Sequence, residues 1–359
     1  MPNLSDYRVS VIIPCYKHAQ FVAEAVESII AQTLPVLEVI VVNDGSPDNT
    51  REVVNQLIRR YPRYRVSCVD KPNGGLADAR NAGIQRAEGE WILPLDADDR
   101  LDHTFVEKGI KALKDDPSRN MAFANQSNFG ASTEQLRPED YSLERLACYN
   151  LFPYASIFPK EMWWRSGGYD RSLPWAGEDY SFWISCGEIG LTPARIDEYL
   201  FKYRVHKEGS MYTELMKRWP VVEAMIRTTH PNIYSGPALL SAHSIIGQMG
   251  EDTLSKLEEK IVRFDELAHP YLWRGMRNEA RGFFEAALAD YHMYRRLHYK
   301  PDWQPIWRSL ICNLTLGRWE NAQRDRVELA ELFPNQTWVS SLLSGISTEQ
   351  KEYKFQEAQ

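Results

Sequence analysis

The stretch WILPLDADD, residues 91–99, decides the fold. Trp91, Ile92, Leu93 and Pro94 form a mostly apolar run that reads as a buried strand. Three carboxylates follow at its end: Asp96, Asp98 and Asp99. Acids this close cannot all ionise comfortably unless a cation sits among them. An Asp-x-Asp at the carboxyl edge of a buried strand is therefore a place to hold a hard metal ion and the phosphates it bridges.

Strand and helix patterns alternate on both sides of this stretch. Strands are expected at residues 9–14, 37–42 and 64–69, and helices at 18–33, 49–60 and 76–87. A helix at 102–114 and a strand at 121–125 follow. The 18–33 helix sets Phe21, Val22, Ala25, Val26, Ile29 and Ile30 on one face. Alternation of this kind, with near-continuous apolar strands, predicts an α/β fold: a mostly parallel, Rossmann-like sheet sandwiched by helices. Ligands bind beyond the carboxyl ends of such strands. Three strand ends carry polar or special residues and would share that edge: Pro14-Cys15-Tyr16, Asn43-Asp44-Gly45-Ser46 and Asp96-Ala97-Asp98.

From 126 to 213 the pattern loosens and aromatics crowd in, Trp163, Trp164, Tyr169, Trp175, Phe182 and Trp183 among them. Most read as core. Trp175, beside Glu178-Asp179, is the candidate for stacking on a sugar ring. After 214 strand signals vanish. The expected organisation is an α/β domain at 1–213 and an all-helical domain at 214–359. Gly275-x-x-x-x-Ala280 and Gly317-x-x-x-x-Ala322, the latter followed by Pro334, resemble tetratricopeptide hairpins.

Composition narrows the class. A chain of 359 residues suits two domains. The net charge of −7 provides no basic field for nucleic acid. Five scattered cysteines without a C-x-x-C pair argue against a disulfide framework or a zinc site, and for a reducing compartment. The polar start MPNLSDYR has no apolar signal region. No apolar run approaches the ~20 residues that span a bilayer. The expected location is cytoplasmic, with at most peripheral contact at the inner face of the cell membrane.

Five segments in order carry a resemblance: VSVIIPCYKHAQFVAEAVESIIAQT, EVIVVNDGSPDNT, NGGLADARNAGIQRAEGEWILPLDADD, GGYDRSLPWAGEDYSFWI and YRVHKEGSM. Across residues 8–213 they resemble the family 2 glycosyltransferases, whose nucleotide-sugar-binding fold is GT-A. The resemblance implies an inverting, metal-dependent transferase of the hexosyltransferase type, serving polysaccharide biosynthesis. A UDP-linked nucleotide sugar would be the donor, and a hydroxyl of a glycan, glycolipid or other molecule the acceptor. No covalent enzyme intermediate is implied.

The resemblance implies roles for the residues at the matching positions. Asp98 would bind Mn²⁺ or Mg²⁺, with His206 as second metal ligand. Asp96 and Ala97 would face ribose and uridine. Asp99 would support the metal through water or cap the next helix. Asp44 would accept the uracil N–H, or serve as a turn aspartate. Pro14, Cys15 and Tyr16 would line the same pocket, Cys15 as a packing residue and not a nucleophile. Asn73, Gly74 and Gly75 let the backbone approach the nucleotide. Arg80, followed by Asn81, would pair with a phosphate or with buried aspartates, and both readings stand open. Arg204 and Ser210 would contact diphosphate. Asp179 is read as general base, Glu178 as acceptor-orienting or structural, and Trp175 as acceptor-binding; the two acids could exchange roles. Adjacent carboxylates should push one pKa upward.

The helical domain would recognise the acceptor or form a homodimer. The rival reading is a catalytically silent nucleotide-sugar or glycan-binding scaffold. Such a scaffold would be expected to lack Asp98, Asp179 or His206, and all three are present.

Overall fold

The computed structural model describes residues 6–207, 211–234 and 236–334. The chain divides into two compact units, Met1–Val222 and Glu223–Gln359. The division falls inside a helix, a few residues beyond the boundary expected at 213.

In the first unit four strands lie parallel: β1 (Val9–Cys15), β2 (Glu38–Asp44), β3 (Val66–Lys71) and β4 (Trp91–Pro94), in the order β3-β2-β1-β4. The crossovers are α1 (Val22–Ile30), α2 (Thr50–Arg60) and α3 (Leu76–Arg86). β1 and β2 are buried along their whole lengths, as strands covered on both faces must be. Ser10 is the polar exception in β1; its hydroxyl donates to Glu38 Oε1 at 2.6 Å and accepts from the Gly89 N–H at 2.8 Å.

Beyond β4 come β5 (Arg100–Leu101), α4 (Phe105–Asp115), β6 (Met121–Gly130), β7 (Gln135–Leu136), α5 (Leu143–Leu146), β8 (Ser156–Pro159), α6 (Lys160–Ser166), α7 (Glu178–Glu188), β9 (Pro193–Val205) and α8 (Met211–Thr229). The sheet continues β4-β8-β6-β9-β5, with β7 on β6. β8 runs antiparallel to β4 and β6, and β9 runs parallel to β6. The short β5 pairs antiparallel with β9, Arg100 opposite Lys202. β5 starts directly after Asp98-Asp99, and β9 ends directly before His206. Their pairing therefore returns His206 to the acidic strand end.

The second unit holds α9 (Gly236–Gly247), α10 (Glu251–Arg263), α11 (His269–Ala280), α12 (Phe284–Leu297), α13 (Trp303–Thr315) and α14 (Trp319–Leu332). The α11–α12 and α13–α14 hairpins repeat each other with a 35-residue offset. Asn278 donates to Asp290 at 3.0 Å, and Asn313 to Asp325 at 2.8 Å. Each hairpin turns on a left-handed glycine, Gly282 (φ 80°) and Gly317 (φ 70°). The spacing match to Gly275 and Ala280 was thus out of register, because Gly282 and Ala287 are the counterparts of Gly317 and Ala322. Gly275 instead lies inside α11, where an added Cβ would meet the Tyr291 ring at 2.5 Å. No helix among the described residues is long and apolar enough to cross a membrane.

Candidate active site

The site begins at the end of β4. Asp98 is 16% exposed, and its Oδ2 lies 2.7 Å from His206 Nε2. The two residues are 108 apart in sequence, and the β5–β9 ladder brings them together. His18 Nδ1 stands 3.7 Å from the other oxygen, Oδ1. A hard carboxylate oxygen beside a half-exposed imidazole is a donor set that fits a divalent cation reaching the protein with its phosphates. Among the described residues, no three His, Cys, Asp or Glu side chains are already gathered as a metal cage.

Asp99 does not cap the next helix, whose N-cap is Thr104. It is buried; Tyr154 Oη donates to its Oδ2 and the Arg204 backbone N–H donates to its Oδ1 at 2.6 Å. Burial holds its pKa well above the usual carboxylate range, helped by the neighbouring Asp98 and Asp96. Asp99 thereby fastens the acidic turn to β9, the strand that carries His206. The Tyr154 hydroxyl also accepts from the Asp96 N–H at 3.1 Å, so one phenol pins the turn at both ends.

Arg204 was expected on the diphosphate. Its guanidinium instead donates to the Asp98 carbonyl at 2.7 Å and to Glu24 at 2.8 Å. It lies between the Phe21 and Phe129 rings, 4.5 and 4.4 Å from their centroids. These contacts occupy it in shaping the turn. Ser210 lies outside the described residues.

Arg80 resolves its open alternative. It is fully buried, donating through Nη1 to Glu178 at 2.7 Å and through Nη2 to Asp96 at 2.8 Å. The Tyr154 and Tyr169 rings flank it at 4.7 and 5.3 Å. Arg80 is thus the link between the two acidic motifs, β4's end and α7's start. Removing one partner of a buried ion pair costs about 3–5 kcal/mol. Arg80→Met should lose stability of that order in urea denaturation. Adding Glu178→Gln should recover part of the loss, since it removes one stranded charge.

The α7 start is set by Gly177, whose φ of 91° suits glycine and turns the chain into the helix. Glu178 and Asp179 then occupy the first turn. Glu178 is buried against Arg80, so it does not face an acceptor. Burial pushes its pKa up to about 7; Arg80 opposes the rise and Asp179 adds to it. The upward push expected for one member of this pair thus falls on Glu178. Asp179 is half-buried, with Oδ2 accepting from Asn150 at 3.0 Å and Oδ1 from the Tyr180 N–H at 2.8 Å. Of about four lone-pair sites on a carboxylate, two remain for a substrate proton. Trp175 is half-buried, and Arg218 lies 5.1 Å from its ring centroid.

The nucleotide side is built around Asp44, only 2% exposed. It accepts from Lys71 at 2.7 Å and from the Gly74 and Gly75 N–H groups at 2.8 Å each. Asp44 therefore anchors the 73–75 loop, and one lone pair remains on Oδ2. At Gly74 an added Cβ would stand 1.9 Å from Asp78 Oδ2, so the Asp78 side chain would have to shift to admit one. Pro14 and Cys15 are buried within β1, while Tyr16 is 41% exposed. Burial raises the Cys15 thiol to about 11, which agrees with a packing role. Asn81 accepts from Trp163 at 2.8 Å and from the Tyr169 N–H at 2.9 Å, clamping the 167–169 turn.

Sequence reasoning missed three residues here: His18, Phe21 as a ring packed on His206, and Tyr154. His18 lies two residues beyond the Pro14-Cys15-Tyr16 edge, and that nearness was the one available signal. Tyr154 had none, being one aromatic among many.

Comparison with known proteins bears on the family and the fold. The family model described as Glycosyl transferase family 2 matches residues 10–171. Chondroitin synthase of Pasteurella multocida is 33% identical over 187 residues, 51% of this chain and 19% of that protein. The chain thus spans about a fifth of that relative's length. An uncharacterized glycosyltransferase of Haemophilus influenzae is 30% identical over 218 residues, 57% of this chain and 71% of its own. Mannosyltransferase PcManGT from Pyrobaculum calidifontis, solved with GDP-Man and Mn²⁺, matches 95% of this chain and 86% of its own. Its TM-score is 0.50 at 20% identity. S. aureus TarS 1-349, solved with UDP-GlcNAc, matches 82% of this chain and 94% of its own, with TM-score 0.50 at 16% identity. At such identities the likeness is one of fold, and that fold is GT-A. With the motifs in order along one sheet edge, and a relative matched over most of its length, this chain belongs to glycosyl transferase family 2.

Proposed function

We propose that this chain is a metal-dependent, inverting glycosyltransferase that moves a sugar from a nucleotide sugar to an acceptor hydroxyl. The observation that carries the reading is the 2.7 Å approach of His206 to Asp98, joined through Arg80 to the Glu178–Asp179 helix start. A silent scaffold would have no need of this acidic set. Asp98 and His206 would hold Mn²⁺ or Mg²⁺, which when bound supplies positive charge to the leaving diphosphate. The Asp179 carboxylate takes the proton of the acceptor hydroxyl. The new C–O bond forms at the anomeric carbon as its bond to the diphosphate oxygen breaks. The electron pair leaves with the nucleoside diphosphate. Glu178 and Arg80 position this machinery without touching substrate. The free Oδ2 lone pair of Asp44 suits a base N–H, which supports a UDP-linked donor. A half-exposed Trp175, four residues before Asp179 in sequence, supports a glycan or glycolipid acceptor.

Stereochemistry tests this directly. With the working donor and a panel of aryl glycoside acceptors, proton NMR of the first product should show the anomeric configuration opposite to the donor's. Retention would overturn the single-displacement mechanism.

A further inference from the structure

We propose that His18 supplies a third protein ligand to the cation held by Asp98 and His206, giving a site of two imidazoles and one carboxylate. The proposal rests on the reading of Asp98 and His206 as the metal pair. Its ground is that a single carboxylate is faced on both oxygens by imidazole nitrogen. His206 Nε2 is 2.7 Å from Oδ2, and His18 Nδ1 is 3.7 Å from Oδ1. Neighbouring donors on an ion ~2.1 Å from each stand roughly 3 Å apart, so His18 Nδ1 has to close on Asp98 and His206 to complete the set. Its side chain is 37% exposed and has room to do so.

The surrounding turn aims the ring. Lys17, directly before His18, holds a left-handed backbone (φ 59°), unusual for a residue with a side chain. Its N–H donates to Ser46 Oγ at 2.7 Å, and the Ala19 N–H, directly after His18, donates to Asp48 Oδ2 at 3.0 Å. The chain is therefore tied down on both sides of His18, in a conformation that costs free energy, as at sites built for a task. Phe21 supplies an apolar wall. Its ring meets His18 edge-on at 5.8 Å and His206 at 5.4 Å. The two imidazole centroids are 6.1 Å apart. A donor set richer in nitrogen selects Mn²⁺, Co²⁺ or Zn²⁺ over Mg²⁺, which prefers oxygen and retains its waters.

Pulsed electron paramagnetic resonance of Mn²⁺ bound to the full chain with UDP counts the coordinating imidazoles. Wild type should show two, and His18→Gln and His206→Gln one each. His18→Gln should also weaken Mn²⁺ at least about ten-fold, read from the free-ion signal, while Mg²⁺ affinity, read by competition, changes less. Circular dichroism of the His18→Gln protein checks that it is folded. One imidazole in wild type, or an unchanged spectrum and Mn²⁺ affinity in His18→Gln, would overturn the role of His18 and leave the metal pair standing. Failure of wild type to bind Mn²⁺ at all would overturn the metal pair itself.

Discussion

Asp98→Ala should abolish the metal dependence of nucleotide binding. Wild-type chain titrated with UDP should bind more tightly with Mn²⁺ than with a chelator. The variant should show the same weak affinity in both conditions. The expected size follows from the site. Loss of a supporting contact around a metal typically costs 10–100-fold in affinity, and Asp98 is read as a direct ligand, so the Mn²⁺ effect should fall by more than about 100-fold. The fold should tolerate the change. Asp98 is only partly buried, and the turn it sits in is held by other groups: Tyr154 and Arg204 on Asp99, and Arg204 Nε on the Asp98 carbonyl. Isothermal calorimetry with and without Mn²⁺ reads the effect. Equal metal enhancement in wild type and variant would remove Asp98 from the metal site.

The second large effect belongs to Asp179. Asp179→Asn keeps the shape and can keep the Tyr180 N–H contact, but it removes the basic oxygen. General-base catalysis is worth about 10²–10⁴-fold, so kcat should fall by that order while the donor KM stays nearly constant. The donor's expected contacts lie at Asp44, the 73–75 loop and Asp98, none of which touches Asp179. Glu178→Gln should act differently. Glu178 is buried on Arg80, so its loss should lower stability and disturb the alignment of α7 without removing the base. If Glu178→Gln is the near-inactive enzyme and Asp179→Asn stays within a few-fold of wild type, the two roles are reversed. The elevated Glu178 pKa, about 7, makes that comparison worth running at several pH values.

Much of this site was legible in the sequence because its strands are unusually plain. β1, β2 and β4 are apolar runs ending in polar residues, so both the sheet and its working edge followed from patterning. β6 and β9 were harder. They mix buried and half-exposed residues, and the pairing of β9 with the two-residue β5 is what brings His206 to Asp98. Arg80 could not be resolved from sequence, since its partner Glu178 is 98 residues away. Arg204 is a similar case: its contacts to the Asp98 carbonyl and to Glu24 join residues far apart in sequence, which spacing could not show. In the helical unit, residue spacing selected Gly275, whereas the hairpin demands a left-handed backbone, which Gly282 supplies.

The central claim is that this acidic edge drives sugar transfer with the help of a divalent ion. The most direct measurement is nucleoside diphosphate release from a panel of nucleotide sugars, with Mn²⁺ or with EDTA, run side by side on wild type, Asp98→Ala and Asp179→Asn. The account predicts release from at least one donor by wild type with Mn²⁺, and loss of that release with EDTA and in Asp98→Ala. On adding acceptor, wild type should accelerate and Asp179→Asn should not. Release that is indifferent to EDTA and to Asp98→Ala, or absent from wild type for every donor, would contradict it.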